Sequence, residues 1–140
     1  MKFCNGHMYA LTIQRVRGTN RPEINVEMAS GRSAFRPVFG KMDTGAFRTT
    51  LDFKTAGSLG INDPTRGCIA KGTAHTVTGE AIPYFVHKVF VQVRGIASPP
   101  ILFELEAAVA ERVKGNLFGV DWLENLCLAF DSASVQFLRD

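Results

Sequence analysis

Residues 35–53 read FRPVFGKMDTGAFRTTLDF, and this stretch decides the fold. Two extended apolar segments, 35–42 and 49–53, flank the tripeptide Asp43-Thr44-Gly45, and both segments predict β-strands. Aspartate and glycine favour turns and threonine can hydrogen-bond locally, so the simplest interpretation of the tripeptide is a turn. The pattern therefore places a carboxylate on a tight loop between two strands.

Alternating apolar and polar residues predict further strands on both sides of this loop. These strands cover residues 9–16, 24–28, 86–93, 101–109, 127–130 and 133–138. A helix is an alternative at 101–109, but the alternation of apolar residues with Glu104 and Glu106 favours a strand. Residues 75–77 and 82–86 flank Thr78-Gly79-Glu80, which predicts a hairpin with its turn near Thr78-Gly79.

One short helix is predicted late in the chain, at residues 119–126, with Asp121 in position to cap its start. Residues 56–67 contain three glycines and a proline and are predicted to be a loop. The predicted fold class is mostly β, a single domain over residues 1–140 with its core at 9–138. Residues 1–8 carry no part of this interpretation, because Gly6-His7-Met8 resembles a cloning scar.

The composition excludes several function classes. The 140 residues are 46% hydrophobic and 21% charged, which is typical of one globular domain. The net charge of +3 is not concentrated in any segment, so we expect neither nucleic acid nor a membrane as a partner.

The cysteines and histidines suggest no cofactor or metal. Three cysteines without a CxxC motif favour free thiols and therefore a cytoplasmic location. The spacings of His75, His87 and Cys68 match no zinc pattern. We therefore expect no metal site and no cofactor.

Three features in chain order resemble the retroviral-type aspartic proteases, the retropepsins with their cellular and bacterial relatives. They are the run Asp43-Thr44-Gly45-Ala46, the central hairpin, and Leu117-Phe118-Gly119 leading into the late helix. The resemblance covers about residues 9–138. It implies a closed β fold with a flap hairpin, and an aspartic endopeptidase that acts on an extended peptide or protein substrate.

The resemblance also implies roles for individual residues. Asp43 is the catalytic residue, and the supports of its loop are Thr44, Gly45 and Ala46. The flap contacts substrate through Thr76, Val77, Thr78 and Gly79. The residues that pack against the active-site loop are Leu117, Phe118 and Gly119.

Catalysis by this class of protease needs two carboxylates that share one proton, one acting as base and one as acid. The chain has a single Asp-Thr-Gly, so two copies must meet as a homodimer with Asp43 from each. A rival hypothesis is a retropepsin-like dimerisation or peptide-binding domain with little or no proteolysis. A third is an unrelated small β-barrel in which Asp43 belongs to an ordinary turn.

The sequence departs from the family pattern in three places. Phe47 and Val120 stand where many relatives have an acid and an arginine that pair, and an apolar contact is expected to replace that pair. The terminal segments 9–16 and 133–138 are expected to form the subunit interface. Lys41 is unexpected two residues before Asp43, and we predict that it points to solvent.

Overall fold

The computed structural model describes residues 9–14, 23–43, 45–94, 100–111, 113, 115–124, 127–130 and 134–139. The predictions for residues 1–8 and for Thr44 lie outside these residues. No helix in the described part of the chain is long and apolar enough to cross a membrane.

The described residues form ten β-strands, one α-helix and one 3₁₀ helix. The strands are β1 (Tyr9–Gln14), β2 (Glu23–Ala29), β3 (Arg36–Met42), β4 (Thr50–Asp52), β5 (Ala70–His75), β6 (Ala81–Val93), β7 (Ile101–Ala110), β8 (Asn116–Phe118), β9 (Cys127–Phe130) and β10 (Ser134–Arg139). The helices are α1 (Phe53–Ser58) and the 3₁₀ helix (Val120–Glu124). Within the described residues the predicted strands are confirmed with shifts of a few residues at their ends, except that the first hairpin arm, predicted at 75–77, lies at Ala70–His75. Residues 15–16 and 133 of the predicted terminal strands lie outside the described residues.

The main sheet has seven strands in the order β2-β3-β8-β4-β7-β6-β5. An additional pairing between β2 and β6 closes the first six strands into a barrel, which leaves β5 outside as one arm of a hairpin. The pairs β3–β8 and β4–β7 are parallel, and this arrangement brings the ends of β3 and β8 together. The mostly β, closed fold is therefore confirmed.

The terminal strands form a separate antiparallel sheet in the order β1-β10-β9. Strand β10 lies in the middle, pairing Tyr9 with Arg139 on one side and Val135 with Phe130 on the other. The outer strands of this sheet are β1 and β9, and each leaves one edge unpaired among the described residues.

The core is formed by side chains that alternate with exposed ones along the strands. On β7, Ile101, Phe103 and Leu105 are buried while Glu104 and Glu106 are exposed, which confirms the strand over the helix. The fully buried Trp122 stacks on Phe118 with ring centroids 4.7 Å apart and meets Phe103 edge-on at 5.1 Å. Each such aromatic pair contributes about 0.5–1.5 kcal/mol beyond its buried area. This cluster fixes the segment that follows β8.

Helix α1 differs from the sequence prediction, which places residues 56–58 in a loop and Phe53 in a strand. Its start is capped by Asp52, whose Oδ1 accepts a hydrogen bond of 2.7 Å from the Thr55 amide. Ala56 then packs against Ile61 and Val109. A six-residue helix containing Gly57 has little intrinsic propensity, so the cap and this burial determine it.

The late helix predicted at 119–126 is present as a 3₁₀ helix over Val120–Glu124, and residues 125–126 of that prediction lie outside the described residues. The predicted cap is wrong, since Asp121 does not cap it and its carboxylate instead accepts hydrogen bonds from Thr49, 72 residues earlier in the chain. That contact belongs to the site described next.

Candidate active site

Asp43 follows β3 directly, and backbone and side-chain contacts hold it in place. Its amide donates to the Phe118 carbonyl at 2.8 Å, and its own carbonyl accepts from the Ala46 amide at 3.0 Å. The Gly45 amide donates to Asp43 Oδ1 at 2.9 Å, and the side chain is 33% exposed. The loop therefore presents a fixed and accessible carboxylate.

The small size of Gly45 lets its backbone lie close to the Asp43 carboxylate. A Cβ at this position would lie 3.1 Å from Asp43 Oδ1, closer than most Cβ contacts. A side chain would thus crowd the carboxylate that the Gly45 amide holds. Thr44, predicted to support the same loop, lies outside the described residues.

Lys41, which the sequence predicts to point to solvent, lies beside Asp43 and is only partly exposed. Its ammonium Nζ lies 3.7 Å from Asp43 Oδ2, and the side chain is only 28% exposed. Successive side chains of a strand point to opposite faces, so the alternation that buries Met42 puts Lys41 and Asp43 on the same face. Each oxygen of the carboxylate thus has its own partner, Gly45 on Oδ1 and Lys41 on Oδ2.

The active-site loop rests on the segment 117–120. The Val120 amide donates to the Ala46 carbonyl at 2.9 Å. A Cβ at Gly119 would lie 2.7 Å from that carbonyl oxygen and 2.8 Å from the Arg48 carbonyl carbon, so only glycine permits this approach. Phe118 is fully buried below the loop, whereas Leu117 is half-buried and lines a groove.

A buried hydrogen-bond network ties the end of the loop to the 3₁₀ helix. Thr49, which is fully buried, donates from its amide to Asp121 Oδ2 at 2.9 Å and from its hydroxyl to Asp121 Oδ1 at 2.8 Å. The same hydroxyl accepts from Trp122 Nε1 at 3.0 Å and from the Gly119 amide at 3.4 Å. This role of Thr49 is not predicted from the sequence, because no local pattern reveals a partner so distant in the chain.

The predicted hairpin is present and is formed by β5 and β6, in register from Ala70–Val86 to His75–Ala81. At its tip the Thr76 amide donates to the Glu80 carbonyl and the Gly79 amide to the Thr76 carbonyl, both at 2.9 Å. Gly79 adopts φ +83°, which favours glycine, and Val77 is fully exposed. A Thr76–Thr78 hydroxyl contact of 2.9 Å completes the turn.

A groove of about 580 Å³ lies between this hairpin and the active-site loop. Its lining residues are Gly45, Ala46, Phe47, Arg48, Thr50, Thr73, Ala74, His75, Ile82, Tyr84, Ala108, Ala110, Val113 and Leu117. The hairpin contributes its arms, such as His75 and Tyr84, rather than the predicted tip residues. The register of β6 against β7, in which Tyr84 pairs with Ala110, brings these side chains together, and the sequence alone did not reveal it.

The residues considered as metal ligands are dispersed. His87 is buried, and its Nε2 lies 2.7 Å from the Pro64 carbonyl oxygen, so a backbone group occupies it. Within the described ranges, no group of three His, Cys, Asp or Glu side chains is placed to hold a metal ion.

Comparison with solved structures shows the fold. The chain is similar to the crystal structure of a retropepsin-like aspartic protease from Rickettsia conorii, with a TM-score of 0.61 and 19% identity over 99% of this chain and 97% of that chain. It is also similar to EIAV protease complexed with the inhibitor HBY-793, with a TM-score of 0.55 and 19% identity over 78% of this chain and 90% of that chain.

No family model matches the sequence, and no curated protein matches it. The similarity to the solved structures shows that the architecture of the chain is that of retropepsin-like proteins. Asp43 lies in it on a loop between β3 and β4 of the barrel.

Proposed function

We propose that the chain is an aspartic endopeptidase that is active as a homodimer and cleaves extended peptides. One observation carries the proposal, namely a partly exposed Asp43 carboxylate oriented by a backbone amide, on a loop that also lines a groove under a hairpin. A fold similar to two solved aspartic proteases supports it.

The proposed chemistry needs a second carboxylate, which another copy of the chain supplies as its own Asp43. Two carboxylates about 3 Å apart cannot both be ionised, so they share one proton and titrate as a pair. One then takes a proton from the attacking water while the other protonates the carbonyl oxygen of the peptide. The edges of the β1-β10-β9 sheet are the proposed subunit contact.

The groove suits an extended peptide. Its hairpin arms and the wall of the active-site loop face each other, and many lining residues are small or apolar. The hairpin of β5 and β6, with Thr76–Gly79 at its tip, would act as the flap, closing over the peptide and excluding water from the carboxylates.

A second candidate function is a peptide-binding or dimerisation domain with little or no proteolysis, and the ion pair at Asp43 favours it. Lys41 Nζ lies 3.7 Å from Asp43 Oδ2, where its ammonium competes with any other group that approaches this oxygen. If the chain is a protease, we expect Lys41 to give up this contact when substrate occupies the site.

Digestion of a diverse peptide library tests the proposal, with Asp43→Asn as the matched variant and pepstatin, a transition-state mimic of this chemistry, as the inhibitor. The substitution removes both carboxylates of a dimer at once, so cleavage should fall by orders of magnitude while the fold persists. Cleavage that survives in Asp43→Asn at more than a few per cent would place the active site elsewhere. A wild-type protein that binds peptides without cleaving them would support the second candidate.

A further inference from the structure

Arg48 is a half-buried cation at the junction of two grooves. It lines the groove under the hairpin, and it also lines a second groove of about 430 Å³ that contains Phe47, Lys88, Glu104, Glu106 and Asp121. Its position five residues after Asp43 places it in the same loop as the candidate catalytic carboxylate.

No ion pair to Arg48 occurs among the residues that the structure describes, and Glu106, which lines the second groove with it, makes no ion pair among them either. The other neighbouring charges are occupied. Lys41 pairs with Asp43, and Lys88 pairs with Glu104 at 3.6 Å. Both carboxylate oxygens of Asp121 accept hydrogen bonds from Thr49. Arg48 is half-buried and lines the groove under the hairpin without an ion pair among these residues, so a carboxylate of a ligand in that groove can pair with it.

The groove under the hairpin is basic in its described lining. Arg48 and His75 are its basic side chains, and the lining contains no Asp or Glu. The planar guanidinium fork of arginine matches a carboxylate with two parallel hydrogen bonds, which gives direction as well as attraction. The remaining walls, including Ile82, Val113 and Leu117, suit apolar side chains.

We infer that Arg48 is a specificity-determining residue that selects peptides carrying an aspartate or glutamate at one position, next to apolar side chains. The inference rests on the proposed function, because it names the substrate class of that groove. An extended peptide presents alternate side chains to one wall, so the acidic preference falls on a single position of the bound segment.

The test compares matched peptides in which each position in turn carries glutamate or glutamine. For the wild-type protein, one position should prefer glutamate roughly tenfold in kcat/KM, the scale of a hydrogen-bonded charge pair. Arg48→Gln should reduce that preference to about twofold or less, and Arg48→Glu should reverse it in favour of lysine over glutamine. Lys54→Gln removes an exposed positive charge from α1, outside both grooves, and should leave the preference unchanged.

A binding measurement separates this inference from the proposed proteolysis. Asp43→Asn, with and without Arg48→Gln, is titrated with the same uncleaved peptides, and Trp122 fluorescence confirms that each variant is folded. Binding that prefers glutamate and depends on Arg48 supports the inference even if no peptide is cleaved. Cleavage that depends on Asp43 but shows no glutamate preference, or a preference that survives Arg48→Gln, overturns the inference and leaves the protease. Failure to bind or cleave any peptide overturns both.

Discussion

Replacing Thr49 by valine tests whether the buried network holds the active-site loop. The substitution keeps the shape of the side chain and removes only its hydroxyl, which donates to Asp121 Oδ1 and accepts from Trp122 Nε1. The backbone hydrogen bond from Thr49 to Asp121 Oδ2 remains. The effect therefore reports on the hydroxyl alone.

The expected loss in the free energy of unfolding follows from the hydrogen bonds that the Thr49 hydroxyl makes. A hydrogen bond to a charged acceptor contributes about 1.5–3 kcal/mol and a neutral one about 0.5–1.5 kcal/mol. Because Asp121 is half-buried rather than fully buried, the lower part of the first range applies, and the 3.4 Å contact from Gly119 adds little. Thr49→Val should thus lower the free energy of unfolding by about 2–3 kcal/mol, which corresponds to roughly 6–10 °C in Tm.

Equilibrium urea unfolding followed by tryptophan fluorescence measures this loss. The chain has one tryptophan, Trp122, and it is itself a partner of Thr49, so the signal comes from the site. Protein concentration must be held constant, because dimerisation would add to the apparent stability.

Thr50→Val is the matched control. Its hydroxyl makes a single hydrogen bond of 3.3 Å, to the Arg48 carbonyl, so its loss should cost less than about 0.5 kcal/mol. If the two variants lost the same free energy of unfolding, the network around Thr49 would not be what stabilises the loop.

Three further predictions concern the same loop. Lys41→Met should preserve or raise kcat, since the ammonium competes for Asp43 Oδ2; a loss of more than tenfold relative to Lys54→Met would contradict this. Gly119→Ala should destabilise the protein by about 1–3 kcal/mol in urea, because its Cβ meets backbone atoms of the loop that cannot rotate away; Gly31→Ala, where a Cβ meets nothing within 4 Å, should be nearly neutral. The rate of cleavage should follow a bell-shaped pH curve in the acidic to near-neutral range, since both carboxyls are protonated at its low end and both ionised at its high end; a rate that kept rising through pH 9 would exclude the shared proton.

The strands could be predicted because their signal is local. Phe103 and Leu105 alternate with Glu104 and Glu106, and this pattern indicates a strand with one buried face. The hairpin turn was predictable for a similar reason, since Thr78-Gly79 supplies the conformation that the turn needs. The fold class followed from such patterns together with the Asp-Thr-Gly loop.

The features that could not be predicted depend on tertiary contacts. Helix α1 depends on the burial of Ala56 against Val109, and the Thr49–Asp121 network joins residues 72 apart in sequence. The lining of the groove depends on how the long strand β6 is registered against β7. Lys41 is different, because the rule that side chains two apart share a strand face was sufficient to place it beside Asp43.

A dilution series that records specific activity and sedimentation together tests the central claim, that two Asp43 residues from two chains form one active site. Specific activity should fall as the protein is diluted through the dissociation constant of the dimer, in step with the fraction of dimer seen by analytical ultracentrifugation. Specific activity that stays constant while the protein sediments as a monomer would contradict the two-chain active site.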